Sequence, residues 1–169
     1  MDWGDKLKIG NVAIHCTPAQ HGTARGIFDR DAYLWCSYVI ESQSKTVFFA
    51  GDTGYRRVPK AVADRFSYPC NPEFKLIGNQ FDIDVALLPI GAYSPRYFMS
   101  LVHTDPIDAA CLFKDLKAKH LVPMHYGTFR LTDELPMAPI DLLKDALGRL
   151  DIDDRVLAQL SLGGTLRLT

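Results

Sequence analysis

Three residues of metal-ligating type, His21, Asp52 and His125, each follow a short apolar segment. Gly51 precedes Asp52 and Gly127 follows His125 closely, and glycine lets the backbone turn sharply beside a bound ion. Functional residues commonly lie on loops at the ends of strands. Imidazole nitrogen and carboxylate oxygen suit zinc, and a carboxylate can bridge two ions. We therefore predict that these three side chains converge at a metal site.

Each of the three also has a purely structural interpretation. His125 could be a histidine of the core, Asp52 a turn residue that bonds its own backbone, and His21 a surface-loop histidine. The metal site is absent only if all three structural interpretations hold together.

The other histidines divide into two groups. His15 lies inside a predicted strand and His120 ends a lysine-rich helix, where a cation suits the helix dipole, so we interpret both as structural. His103 precedes a predicted helix N-terminus, a position that favours anions. For His103, contact with a phosphate and helix capping are equally supported.

An aromatic segment, Gly91–Met99, follows a predicted buried strand. One interpretation is a packed loop. The other is a substrate loop, in which Arg96 binds an anionic head group while Tyr97 and Phe98 make apolar contacts.

The elements that must position these residues alternate strands with helices, which predicts an α/β or α+β class. Period-two patterns and β-branched runs predict strands in these segments: Lys6–Cys16 with a turn at Gly10, Leu34–Ile40, Thr46–Ala50, Asp84–Pro89, Leu121–Met124 and a final hairpin around Gly163. Helices are predicted at Val58–Phe66, after the N-cap Asp105, and at Pro139–Leu150. In the second of these, Ile107, Ala110, Cys111, Lys114 and Ala118 form the predicted buried stripe.

Length and composition narrow the function classes. The 169 residues suit one domain, and 19 basic against 20 acidic residues leave no field that would attract nucleic acid. No apolar run approaches the roughly 20 residues of a membrane span, and no signal peptide is recognisable. No cysteine pair has CxxC spacing, which excludes a zinc ribbon or a thioredoxin-type motif. Without a recognisable secretion signal, we expect a reducing, cytoplasmic environment.

Several motifs occur in order and together resemble one family. They are Cys16–His21, Phe28–Asp31, Leu34–Trp35, Phe48–Tyr55, Ala86–Tyr93, Pro95–Met99 and Met124–Phe129. This set resembles the N-acylphosphatidylethanolamine-hydrolysing phospholipase D family of the metallo-β-lactamase superfamily, over most of residues 8–135. The resemblance implies a four-layer αββα sandwich of α+β class with two zinc ions. It also implies hydrolysis of a phospholipid phosphodiester to an N-acylethanolamine and phosphatidic acid.

The resemblance also implies roles for individual residues. His21 matches a ligand of one zinc ion, Asp52 the bridging carboxylate, and His125 a ligand of the other ion. Asp52 and His103 are the implied catalytic residues, because His103 matches a histidine near the scissile phosphate. Substrate contacts are expected from His103, Arg96, Tyr97 and Phe98.

The main metal motif of the superfamily, His-x-His-x-Asp-His, is absent from this sequence. We therefore interpret residues 1–169 as the C-terminal part of a single domain whose first half carries that motif. The expected partners are a phospholipid, a membrane surface contacted peripherally, and either a second copy or the missing half. Because His21, Asp52 and His125 leave each of two ions underligated, we expect the chain alone to bind zinc weakly.

Two alternatives remain. One is another hydrolase of the same superfamily that acts on a different ester or a lactone. The other is a non-catalytic half-domain that serves as an interaction module.

Overall fold

One mixed sheet organises the protein, and its strands are contiguous in sequence order. The computed structural model describes residues 1–60, 66 and 68–168. The strands are β1 (Lys6–Ile9), β2 (Val12–Pro18), β3 (Cys36–Glu41), β4 (Thr46–Phe49), β5 (Val85–Pro89) and β6 (His120–Met124). β1 to β4 pair antiparallel, whereas β4, β5 and β6 pair parallel. The carboxyl ends of β4, β5 and β6 therefore meet at one edge of the sheet.

The helices are α1 (Glu73–Gln80), α2 (Arg96–Met99), α3 (Pro106–Leu116) and α4 (Ala138–Arg149), followed by a 3₁₀ turn at Asp154–Val156. α3 begins as predicted: the Asp105 side chain accepts a hydrogen bond from the Asp108 amide at 2.8 Å, and Pro106 occupies the first turn. α3 packs against α1, α4 and β5.

The hydrophobic core lies between the helices and one face of the sheet. Cross-strand pairing places His15, Val39, Phe48, Ala86 and Leu121 in one row on that face. The four apolar members of this row are fully buried and pack with buried side chains of α1, α3 and α4: Phe74, Leu112, Leu116, Leu143 and Leu147.

Most predicted elements are confirmed. The turn at Gly10 separates β1 from β2, and β3 and β4 form the predicted antiparallel hairpin. The predicted hairpin around Gly163 is wrong, because the described residues beyond Val156 form turns and a single bridge between Leu121 and Leu157. The predicted helix at Val58–Phe66 lies largely outside the described residues.

Two helical assignments also need correction. His120 begins β6 rather than ending a helix, because α3 stops at Leu116. Of the predicted stripe, Ala110 is fully buried, Ile107 and Cys111 are half-buried, and Lys114 is exposed. The buried face of α3 also includes residues that the stripe left out: Ala109, Leu112, Phe113 and Leu116.

The opposite face of the sheet is apolar and only partly covered. A second cross-strand row consists of Leu7, Ile14, Ile40, Val47 and Val85. Leu7 is 46% exposed at the edge strand, and the row becomes more buried towards Val85. Contiguous exposed apolar surface of this kind marks an interaction surface.

Among the described residues, no helix is both long and apolar enough to cross a lipid bilayer.

We therefore expect the isolated chain to associate through this second face. Leu7→Gln should lower the associated fraction, because it places a polar group in the apolar row. Leu142→Gln is the matched control, since Leu142 is 44% exposed but lies on α4. Light scattering after size exclusion, over a range of concentrations, measures the mass against the 18.9 kDa chain. A wild-type chain that stays monomeric at every concentration would contradict the expectation.

Candidate metal centre

Asp52 and His125 lie side by side at the carboxyl edge of the sheet. Asp52 follows β4 through Gly51, which adopts a left-handed φ of +62° without the steric cost that a side chain would add. His125 follows β6 directly and itself adopts a left-handed φ of 61°. These turns bring His125 Nε2 to 3.0 Å from Asp52 Oδ1.

Close packing of the backbone fixes the position of His125. Gly91, which follows β5, lies so near this turn that a Cβ atom there would be 2.1 Å from the His125 carbonyl oxygen. A side chain at position 91 would displace the loop that carries His125. The glycine is therefore required by the approach of two neighbouring strand ends.

His21 approaches Asp52 from the loop after β2. Its Nδ1 donates to the Gly22 carbonyl at 2.7 Å, an arrangement that leaves Nε2 unprotonated in the neutral ring. His21, Asp52 and His103 each offer a ligand atom, and these atoms all lie within 4.8 Å of one another.

His103 lies between the other two histidines. Its ring centroid is 5.6 Å from that of His21 and 5.4 Å from that of His125, on which it stacks. Burial lowers the pKa of His103, the carboxylate of Asp52 opposes this shift, and the neighbouring histidines and Arg96 reinforce it. The ring is therefore neutral at pH 7 and has a nitrogen lone pair to offer.

The structure thus brings together the three residues predicted to converge and adds His103 to them. Their roles as metal ligands and in catalysis stay predictions. The two histidines interpreted as structural lie elsewhere: His15 Nε2 is 2.5 Å from Glu41 Oε2 and its ring contacts Phe81, while His120 begins β6.

A buried threonine, Thr53, joins the loops that carry the site. Its Oγ1 accepts a hydrogen bond from the Gln20 amide at 2.8 Å, and its carbonyl accepts one from the Thr104 amide at 2.7 Å. Gln20 precedes His21 and Thr104 follows His103. Thr53 therefore ties the neighbours of His21, Asp52 and His103 to one point. This role could not be predicted, because a threonine in Ala50–Gly54 carries no signal of partners so distant in sequence.

A cluster of buried charges contacts the backbone of His103. It consists of Arg56, Arg96, Asp105 and Asp108. Arg96 Nη1 donates to the His103 carbonyl at 2.6 Å, and its guanidinium contacts Asp108 and lies 3.5 Å from Asp105. Arg56 Nε is 2.8 Å from Asp108 Oδ1. Burial raises the pKa of Asp108 to about 6, assisted by Asp105, while the two arginines oppose the shift. Asp108 is thus ionised at neutral pH.

The segment predicted to bind substrate divides into an inward and an outward part. The Arg96 guanidinium points inward, where it contacts Asp105 and Asp108 of the buried charge cluster. Contact of Arg96 with a head group stays a prediction. Tyr97 and Phe98 on α2 are 49% and 68% exposed. An open groove of about 260 Å³, lined mainly by His125, Tyr126, Phe129 and Leu131, adjoins the site.

Comparison with known proteins identifies the family of this chain. Residues 1–126 match the model of the beta-lactamase superfamily domain. The chain belongs to that superfamily. Solved structures agree on the fold: an isothiocyanate hydrolase from Delia radicum gut bacteria (TM-score 0.67, 17% identity) and the metallo hydrolase Igni18 from Ignicoccus hospitalis (TM-score 0.63, 24% identity). Each match covers 98% of this chain and 57% of the other. The predicted metallo-β-lactamase fold is confirmed.

Curated relatives carry two different names. The chain is 32% identical to N-acyl-phosphatidylethanolamine-hydrolyzing phospholipase D 1 of Caenorhabditis elegans, across 96% of this chain and 44% of that protein. It is 34% identical to a UPF0173 metal-dependent hydrolase of Pyrobaculum aerophilum, across 80% of this chain and 48% of that protein. The chain thus spans about half the length of these relatives. The second relative is named as a metal-dependent hydrolase and Igni18 as a metallo hydrolase, and their similarity to this chain implies a metal cofactor.

The residues at this edge fit a metal ion. His21 Nε2 is left free by the Gly22 hydrogen bond, and Asp52 supplies two oxygens. His125 presents Nε2 to Asp52, and one ring nitrogen of His103 lies within 4.8 Å of the ligand atoms of His21 and Asp52. The Nδ1 atom of His103 is also buried, with no hydrogen-bond partner among the described residues.

We expect Thr53→Val to destabilise the protein by about 1–3 kcal/mol, because the half-buried Gln20 amide loses its acceptor while the volume is nearly kept. Urea unfolding measures the change. Thr165→Val is the control, since Thr165 is exposed. An equal effect of both substitutions would show that Thr53 does not hold the loops together.

Proposed function

We propose that this chain is the second half of a zinc-dependent phosphodiesterase that hydrolyses N-acylphosphatidylethanolamine to an N-acylethanolamine and phosphatidic acid. The observation that carries the proposal is the convergence of His21, Asp52 and His125 at one sheet edge. The 32% identity across 96% of the chain to the Caenorhabditis elegans phospholipase supports the choice of substrate.

The residues of this chain would hold two zinc ions, one through His21 and one through His125, with Asp52 shared between them. Zinc, when bound, polarises a phosphoryl oxygen and lowers the pKa of a bound water towards 7. Asp52 suits the shared position because its carboxylate is 42% exposed and faces His125 with one oxygen. His21 is oriented by its hydrogen bond to Gly22, which keeps Nε2 directed away from its own backbone.

The surroundings of the site suit an amphipathic substrate. The groove beside His125 has an apolar lining in which Phe129 and Leu131 are 75% and 63% exposed. Tyr97 and Phe98 add exposed aromatic surface. We propose that acyl chains contact these side chains while the protein touches the membrane surface peripherally from the cytoplasmic side.

The half-domain is part of the proposal. A first half carrying His-x-His-x-Asp-His would supply the remaining ligands and cover the sheet face that contains Leu7 and Ile14. A second copy of this chain is the alternative cover for that face.

A second candidate function is hydrolysis of a different ester or a lactone. The observation in its favour is the 34% identity to the UPF0173 metal-dependent hydrolase, which rivals the match to the phospholipase. Assaying N-acylphosphatidylethanolamine and a soluble ester with the same preparation separates the two functions. Zinc binding without turnover of either substrate would favour a non-catalytic interaction module.

We expect Asp52→Asn to abolish most activity when the chain is combined with a polypeptide that carries the missing motif. A neutral amide bridges two cations poorly. The activity should therefore fall by more than the roughly 100-fold that is typical when a residue that only supports a metal ligand is replaced. His15→Gln and His120→Gln are the controls, because both histidines lie away from the site. Release of N-acylethanolamine measures the activity. Similar losses for all three variants would refute the assigned role of Asp52.

A further inference from the structure

We propose that Glu134 is a positioning residue, whose carboxylate fixes one wall of the apolar groove beside His125. Glu134 belongs to the loop after β6, residues 128–134, and this loop carries two side chains of that wall, Phe129 and Leu131. The inference rests on the proposed function only for the class of ligand that the groove takes, which is the hydrocarbon part of an N-acyl chain.

The Glu134 carboxylate accepts hydrogen bonds from two consecutive backbone amides of another segment. The Tyr93 amide nitrogen lies 3.3 Å from Oε1, and the Ser94 amide nitrogen lies 3.0 Å from Oε2. The Thr132 hydroxyl, which belongs to the loop itself, also donates to Oε2. Both carboxylate oxygens are therefore engaged, and one side chain joins the loop after β6 to the segment after β5.

The ionised form of Glu134 suits this arrangement. Burial raises the pKa of Glu134, but hydrogen bonds from Thr132 and from backbone amides, among them those of Ser94 and Tyr93, outweigh it and hold the pKa below its ordinary value. Hydrogen bonds to an ionised acceptor are stronger than those between neutral groups. A glutamine at position 134 would replace one acceptor oxygen with an NH₂ group. Whichever oxygen is replaced, that group meets a backbone N–H, so two donors face each other.

Burial of apolar side chains does not hold this loop by itself. Phe129 and Leu131 are mostly exposed, and a segment with few buried apolar contacts opens at little cost in free energy. The Asp133 amide adds a longer hydrogen bond, 3.4 Å, to the Ser94 carbonyl. The position of the loop therefore depends mainly on the Glu134 carboxylate.

The segment that receives the loop is itself anchored at two points. Gly91, at its start, packs against the turn that carries His125. Further along, Arg96 donates to the His103 carbonyl at 2.6 Å and contacts the buried charge cluster. The two amides that Glu134 binds lie between these contacts. The groove wall is therefore held in a fixed position relative to the two histidines.

Amide hydrogen exchange in the 169-residue chain tests the contact. We expect Glu134→Gln to raise the exchange rates of the Tyr93 and Ser94 amides by about tenfold, because these amides lose a charged acceptor. The Val39 amide in the core of the sheet should keep its rate, since the opening is local. Asp133→Asn is the matched control, because it removes one negative charge from an exposed position of the same loop. Equal rates for Tyr93 and Ser94 in Glu134→Gln and the wild type would overturn the proposal.

Binding of N-decanoylethanolamine to the same chain tests whether the contact positions the groove. In ¹⁵N spectra this probe should shift the amide resonances of Phe129 and Leu131 in the wild type and in Asp133→Asn. Glu134→Gln should weaken the affinity for the probe by about tenfold, because the wall is no longer preorganised. Unchanged affinity in Glu134→Gln, or a probe that shifts neither resonance in the wild type, would overturn the positioning role.

A substitution in the wall itself separates the wall from the contact that holds it. Leu131→Ala should weaken binding of the probe but leave the exchange rates of Tyr93 and Ser94 unchanged, because the Glu134 carboxylate stays in place. Full affinity in Leu131→Ala would show that the groove is not the binding site. Binding in the groove that depends on Glu134, without phospholipid hydrolysis by the complemented enzyme, would instead refute only the proposed reaction.

Discussion

The hydrogen bonds of Thr53 are the interaction on which the site depends. His21, Asp52 and His103 lie on three separate loops, and loops alone would not hold three side chains within a few ångströms of one another. Thr53 is fully buried and binds the Gln20 amide through its hydroxyl and the Thr104 amide through its carbonyl. Each bond contributes only about 1 kcal/mol, yet together they link the three loops at one residue.

The buried charge cluster extends this constraint to His103. Removing two arginines and two aspartates from water is costly, and such a cluster is weak support for stability in general. Here its geometry has a specific consequence, because Arg96 joins Asp105 and Asp108 on α3 to the His103 carbonyl. The cluster therefore fixes the backbone of His103 relative to α3.

The strand ends could be predicted from sequence because their signals are local. Apolar runs that stop at Asp52 and His125, with glycines beside them, indicate both the strands and the turns after them. Thr53 and Asp108 could not be found in this way, because their partners depend on how distant segments pack. α1 was not predicted, because glycine at position 78 disfavours a helix. The fold nevertheless requires a glycine there, since a Cβ atom at position 78 would lie 2.2 Å from the Asp115 carbonyl oxygen. The predicted tail hairpin is absent from the described residues, where Leu162 is 98% exposed and lies outside any strand.

If loops from separate strands form one metal centre at the carboxyl edge of the sheet, a zinc ion must bind between their side chains. Anomalous diffraction at the zinc absorption edge, from crystals of the chain grown with zinc chloride, locates such an ion. We expect a peak within about 2.2 Å of His21 Nε2 and an Asp52 oxygen. Zinc bound elsewhere on the chain, with no peak between these two side chains, would contradict it.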